Sequence, residues 1–251
     1  MTLHHTLSGP DDAPVLLLGA SLGTDMRMWE AQLPLAQSFR LLRFDHRGHG
    51  QSPAPPGPYE LADLADDVLE LMDSLGIARA SLCGLSLGGM VGMWLGAHAP
   101  ERIERLVLLC TAAHMPPASA WRERAAAVRA AGSTEPVADA VVAGWLTPAF
   151  AAAQPQVRAE LRAMLTASPA DGYAWCCGAI ERMDLRDDLK RITAPTLVIS
   201  GADDPATPVQ RQAMIAAVVP QTRHEVVGPA AHLAAVERPE AVNHLIKEHL
   251  G

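Results

Sequence analysis

Ser86 stands between two leucines in the run CGLSLGG, residues 83–89, with Gly84, Gly88 and Gly89 around it. Glycine weakens strands and helices alike, because it loses the most backbone freedom on folding and packs no side chain. Glycines crowded around a lone hydroxyl therefore mark a backbone that needs room. The string is G-x-S-x-G, and it falls where an apolar strand-like stretch ends and a helix-like one begins, the setting in which this motif forms a nucleophile elbow. Such a turn strains the serine backbone and lifts its hydroxyl above the sheet edge. There it meets the N-terminus of a helix, whose dipole favours a developing negative charge.

A serine hydroxyl is a weak nucleophile until a base takes its proton, and the base needs a third group to hold its tautomer. In this architecture the chain order is Ser, then Asp or Glu, then His. VISGADDPATP puts Asp203 and Asp204 just after one strand-like run, and VVGPAAHLAAVERP puts His232 just after the next. Strand ends are where open parallel sheets hold their ligands. Adjacent side chains of an extended segment point in opposite directions, so only one of the two aspartates can face the histidine. A tetrahedral oxyanion needs two main-chain donors. The amide of Leu87 directly follows the serine, and that of Leu22 lies in GASLGTDMRMW, a loop that Gly19 and Gly23 allow to turn.

The remaining histidines and cysteines offer little competing chemistry. His4, His5, His244 and His249 lie near the termini and His98 on a helix, as surface or packing residues. His46 and His49 in FDHRGHG have H-x-x-H spacing, but a tight glycine loop is a poor metal scaffold and no third ligand stands out. Cys83, Cys110, Cys176 and Cys177 make neither a disulfide framework nor a C-x-x-C pair, and read as small buried apolar side chains. No metal and no cofactor is expected.

The elements that must position these residues are short apolar runs. APVLLLGA (13–20), FRLLRFD (39–45), ASLCG (80–84), RLVLLCT (105–111), APTLVIS (194–200) and RHEVVG (223–228) are mostly continuous rather than alternating, as strands buried on both faces are. Helical spacing lies between several of them. In ELADLADDVLELMDSLG the residues Leu61, Leu64, Val68, Leu71, Met72 and Leu75 recur at steps of three and four, and Gly76 suits the stop. Alternating strands and helices imply an α/β fold with a mostly parallel central sheet flanked by helices. The alternation breaks between about Met115 and Lys190, in a segment rich in alanine and arginine with helical stretches separated by PP, GSTEP, TP and SPADG. We expect a helical cap over 115–190, inserted after the strand near 105–111, on a core formed by 1–114 and 191–251.

Composition narrows the partners. The 251 residues carry 20 basic and 28 acidic side chains, a formal charge of -8, which argues against nucleic acid or an anionic membrane surface. The start, MTLHHTLSGP, lacks a basic segment followed by a signal-like apolar run, and no stretch approaches the roughly 20 apolar residues of a membrane span. A cytoplasmic enzyme acting on a small molecule is the expectation.

Taken together, these residues resemble the α/β-hydrolase superfamily and, more narrowly, its 3-oxoadipate enol-lactonases. The likeness runs from about Pro14 to the C-terminus, through SLGTDMRMW, FDHRGHGQSPAP, CGLSLGGMVGMWLGAHAPERIERLVLLCTAA, GYAWCCGAIERMDLR and AHLAAVERPE. The elbow, the DHRGHGQS loop and the histidine loop are superfamily-wide, whereas SLGTDMRMW and the cap stretch are narrower. The resemblance implies Ser86, Asp204 and His232 as the catalytic triad, because G-x-x-D-x-x-T-P maps onto Gly201, Asp204, Thr207 and Pro208 and leaves Asp203 out of register. It implies an anionic lactone as substrate. Trp145, in WLTPAF, is the first cap candidate for substrate contact, with Trp121, Arg122 and Arg124 behind it. The chain departs from the family pattern in having Ala20 and Ser21 where many relatives have His-Gly, room for one strand rather than two before Pro14, and Gly144 where an arginine is frequent. A generalist carboxylesterase, a carbon–carbon bond hydrolase or a perhydrolase on the same triad is the alternative reading. A non-catalytic ligand receptor is a remoter one.

Overall fold

The computed structural model describes all residues, Met1–Gly251. The strands are β1 (His5–Ser8), β2 (Val15–Gly19), β3 (Arg40–Phe44), β4 (Ala80–Leu85), β5 (Ile103–Leu109), β6 (Thr196–Gly201) and β7 (Thr222–Val227). They form one sheet in the order β1-β3-β2-β4-β5-β6-β7. Only β1 runs antiparallel, pairing with β3 at the edge. The other neighbours are parallel. β4 is buried along its whole length, which is why ASLCG carries no polar alternation. At the far edge β7 is only partly covered, and its alternating residues leave Val226 half exposed.

Helices cover both faces. α1 (Leu61–Ser74) buries Leu61, Leu64, Val68, Leu71 and Met72, the stripe expected from the spacing, and its first turn is closed by a reciprocal capping box between Glu60 and Asp63. α2 (Leu87–His98) starts directly behind Ser86 and is buried on nearly every side, so it shows almost no polar face. Between β5 and β6 come α3 (Ala118–Ala131), α4 (Glu135–Trp145), α5 (Pro148–Ala153), α6 (Pro155–Ala167) and α7 (Ala170–Arg182), with no strand among them. The PP break falls just before α3, and those at GSTEP, TP and SPADG fall at junctions between these helices. α8 (Val209–Val218), α9 (Ala234–Glu237) and α10 (Pro239–Leu250) complete the chain. No helix is long and apolar enough to cross a membrane.

The tightest packing lies under the elbow. A Cβ built on Gly84 would stand 2.2 Å from the Gly88 carbonyl oxygen, and one on Gly88 would stand 2.1 Å from the Gly19 carbonyl oxygen. The obstacles are main-chain atoms, which cannot rotate away. β2, β4 and α2 therefore meet backbone to backbone, and this brings the end of β2 beside the serine.

Gly88→Ala should cost several kcal/mol by overpacking and give little soluble folded protein, or a thermal midpoint lowered by roughly ten degrees. Gly144→Ala is the opposite case, because the nearest obstacle to its Cβ inside α4 is the Pro205 side chain at 3.8 Å. It should gain about 0.5–1 kcal/mol of helix stability, seen as a thermal midpoint raised by a few degrees.

Candidate active site

Ser86 occupies the turn between β4 and α2 with φ 55 and ψ -111, a conformation that costs a residue with a Cβ and persists only where its surroundings impose it. Three hydrogen bonds impose it. The Ser86 N–H donates to the Leu109 carbonyl at 3.0 Å, its carbonyl accepts from the Met90 N–H at 2.9 Å, and the Thr111 hydroxyl donates to the same carbonyl at 2.7 Å. The hydroxyl group is left facing a cavity of about 280 Å³ that Ser86 and His232 line together.

The histidine is oriented from behind. His232 Nδ1 lies 2.9 Å from Asp204 Oδ2, and both side chains are almost fully buried. The carboxylate is held by further donors: the Thr207 hydroxyl to Oδ2 at 2.6 Å, and the main-chain N–H groups of Ala206 and Thr207 to Oδ1 at 2.8 and 3.0 Å. Burial alone would raise the Asp204 pKa, but the charge and hydrogen bond of His232, together with Thr207, outweigh it and bring it down to about 2. The carboxylate stays ionised and keeps the imidazole proton on Nδ1, so Nε2 is free to act as a base toward the cavity. Asp203 is exposed and points away, its main-chain N–H bonded to the Ala230 carbonyl.

The loop after β2 presents its amides in an ordered way. The Ser21 N–H points at Met28 Sδ, 3.3 Å away, and the Gly23 N–H donates to His49 Nε2 at 2.9 Å. The Leu22 N–H between them has no partner within the chain, and Leu22 lines the cavity. The Leu87 N–H is the first of α2, where no carbonyl of the same helix can reach it. These are the two donors expected for an oxyanion. His49 holds the loop as a neutral ring: Nε2 accepts, Nδ1 meets the Arg47 carbonyl at 3.1 Å, and burial lowers its pKa. That arrangement gives the H-x-x-H spacing a structural role. No group of three or more metal-binding side chains exists.

Of the four expected substrate contacts, Trp145, Trp121 and Arg124 line the cavity. Trp121 is turned so that its indole N–H bonds the Met115 carbonyl at 3.0 Å and its ring carries the Arg124 guanidinium at 4.7 Å. Arg122 is a correction. It is 69% exposed and paired with Glu181 of α7 at 2.7 Å, because two steps along α3 turn a side chain to the opposite face. Two residues of the site escaped the sequence reading. Tyr173 of α7 also lines the cavity. Glu237, fully enclosed, accepts from the Ala231 N–H at 2.7 Å and from the Thr147 hydroxyl at 2.6 Å, tying the histidine loop to the segment between α4 and α5. A buried glutamate in AAVERPE carries no periodic signal beyond its charge on a short helix.

Residues 13–239 match the sequence model of a family described as the alpha/beta hydrolase fold. The chain belongs to this family of hydrolases. The hydrolase is 39% identical over 98% of its length to the 3-oxoadipate enol-lactonase 2 of Acinetobacter baylyi, covering 92% of that protein. Among solved structures it is similar to the enol-lactonase from Burkholderia xenovorans LB400, with a TM-score of 0.96, 40% identity, and 99% and 96% of the two chains covered. It is also 31% identical to a putative carbamate hydrolase RutD of Stutzerimonas stutzeri, over 99% of this chain and 96% of that one.

Asp204→Asn should lower kcat by several orders of magnitude by disturbing the His232 tautomer, with Asp203→Asn close to wild type; the reverse ranking in a kinetic comparison would exchange their roles. The acid response follows from the depressed carboxyl. Its stabilising contribution is complete above the unfolded value near 3.9 and is lost as pH falls toward about 2, so acid unfolding curves of Asp204→Asn should be flatter than wild type across that window.

Proposed function

We propose that the hydrolase opens a small anionic enol-lactone through an acyl-enzyme, with Ser86 as nucleophile, His232 as general base and then acid, Asp204 as the group that orients it, and the Leu22 and Leu87 amides as the oxyanion hole. The observation that carries this reading is the Asp204–His232 pair opening onto the same cavity as the strained elbow serine. Substrate choice rests on the likeness to the two enol-lactonases and on a cavity whose walls are largely apolar, with one cation and no carboxylate from Asp or Glu. The helices over 115–190 act as the cap that forms this wall. We assign 3-oxoadipate enol-lactone as substrate and 3-oxoadipate as product, in the degradation of aromatic compounds in the cytoplasm.

The chemistry follows in two halves. Ser86 Oγ adds to the lactone carbonyl as His232 Nε2 takes its proton. The charge gathers on the carbonyl oxygen, where the two amides meet it without reorganising. Collapse breaks the ring C–O bond and expels an enolate, which is more stable than the alkoxide of an ordinary ester. This leaving group remains tethered to the acyl chain and could close the ring again. Protonation to the ketone removes the nucleophile and commits the acyl-enzyme forward. Water, deprotonated by His232, then adds to the ester carbonyl and releases Ser86 and the product carboxylate. Ser86 and His232 line the same cavity, which puts the base within reach of the hydroxyl it must deprotonate.

Ser86→Ala should abolish labelling by an organophosphonate and reduce turnover by several orders of magnitude. Near wild-type turnover, or labelling at another serine, overturns the acyl-enzyme. A panel setting the enol-lactone beside neutral esters of similar size should show the lactone preferred in kcat/KM, and equal rates across the panel would favour the generalist esterase.

A further inference from the structure

Two polar groups on the cap side of the cavity lack partners. The Tyr173 hydroxyl is fully buried and its O–H has no acceptor. Arg124 faces the phenol oxygen, lowering the pKa of Tyr173 by its charge and a side-chain hydrogen bond, but it has no anionic partner, although its neighbour Arg122 is paired with Glu181. Both line the cavity that holds Ser86 and His232, and both come from helices packed against each other, α3 and α7. A buried hydroxyl without an acceptor is costly on its own, and the half-buried guanidinium beside it has no anion to pair with. What both lack is the same thing: an anionic acceptor with more than one oxygen.

The surroundings hold these groups in place. Arg124 lies over the Trp121 ring at 4.7 Å, and that indole is itself anchored to the Met115 carbonyl. The Tyr173 ring packs against Gly23, where an added Cβ would come within 3.0 Å of Cε2, so the phenol stands against the loop that carries the Leu22 amide. Burial, then the neighbouring Cys177, push the Tyr173 pKa up, with Arg124 opposing, and the phenol remains a neutral donor across the working range. No aspartate or glutamate lines the cavity, so nothing there competes for the guanidinium or repels an incoming carboxylate.

We propose that Arg124 and the Tyr173 hydroxyl together form a carboxylate subsite in the Ser86 cavity, which makes the enzyme selective for small esters and lactones that bear a free carboxylate. The subsite rests on the serine-hydrolase reading and gives it a specificity determinant. The guanidinium supplies charge and the phenol a directed O–H···O bond, so that a neutral ester in the same place would leave both desolvated and unpaired. It resolves how a protein of formal charge -8 can hold an anion, because the nearby guanidinium acts over a few ångströms while the more distant surface carboxylates are screened by solvent and salt. Dicarboxylates of the product's size should occupy the site as competitive inhibitors.

The test compares p-nitrophenyl hydrogen glutarate, a monoanionic ester, with p-nitrophenyl pentanoate, its neutral counterpart, in the wild type, Tyr173→Phe, Arg124→Gln and Arg124→Lys. The wild type should favour the anionic ester in kcat/KM, and Tyr173→Phe and Arg124→Gln should each reduce that ratio by about tenfold or more, mainly through KM. Arg124→Lys should restore part of it. An unchanged ratio in both Tyr173→Phe and Arg124→Gln overturns the proposal, as does a wild type without anionic preference. Adipate binding to Ser86→Ala by calorimetry gives a readout that needs no turnover. It should weaken by about tenfold on adding Tyr173→Phe, and adipate binding unaffected by that change rejects the subsite even if both esters are hydrolysed. Failure to hydrolyse either ester, with adipate binding still sensitive to Tyr173, would instead strike the hydrolase reading and leave the subsite standing.

Discussion

Gly88 and the Gly19 carbonyl approach so closely that no side chain fits between them, and the positions of nearly all the reacting groups follow from that contact. It sets the start of α2 against the end of β2. The serine on one side of the contact and the Leu22 amide on the other are thereby brought to one cavity. The energy stored in the positive φ of Ser86 is offset by the buried sheet around it, where β4 has no exposed residue. A strained turn on a loose edge strand would relax. In the middle of a parallel sheet it has nowhere to go, and the Ser86 hydroxyl is held facing the cavity.

Polar groups buried around this frame act by being satisfied or by being left unsatisfied. Asp204 receives four hydrogen bonds and Glu237 at least two from separate segments, so each is a fixed post. The Asp204 post orients His232 and the Glu237 post joins the histidine loop to the helices above it. His49, accepting from Gly23, does the same for the loop that presents the oxyanion donor. By contrast, the Leu22 amide and the Tyr173 O–H have no acceptor, and the Arg124 guanidinium has no anion. Rigid posts behind and unsatisfied donors in front are what a site for a charged, carbonyl-bearing molecule requires.

The legible part of the site was the part carried by local chemistry. Ser86 could be read because its elbow demands glycines at set offsets, and Leu22 and Leu87 because an oxyanion hole uses main-chain amides whose positions follow from the turn. Asp204 needed the register of Thr207 and Pro208 as well as its own identity. In the structure the Thr207 hydroxyl and amide hold its carboxylate. The substrate wall was less legible. Arg122 and Arg124 are two residues apart in an alanine-rich helix, and nothing in their neighbours told which would face inward. Nothing in GYAWCC set Tyr173 apart, and nothing in AAVERPE set Glu237 apart.

The sequence by itself determined the sheet, the helices that follow its strands, the inserted helical segment and the chain order of the reacting groups. These depend on hydrophobic runs, turn residues and motif spacing, all of which act over a few neighbouring positions. Only the tertiary structure decided which partner each polar side chain meets. Arg122 was drawn to Glu181, 59 residues away, while Arg124 turned over Trp121 toward the cavity. Tyr173 came to rest on Gly23, from a helix some 150 residues further along the chain. Whether a buried donor is satisfied or left open is a property of what folds against it, and residues so far apart in sequence leave no periodic trace of their meeting.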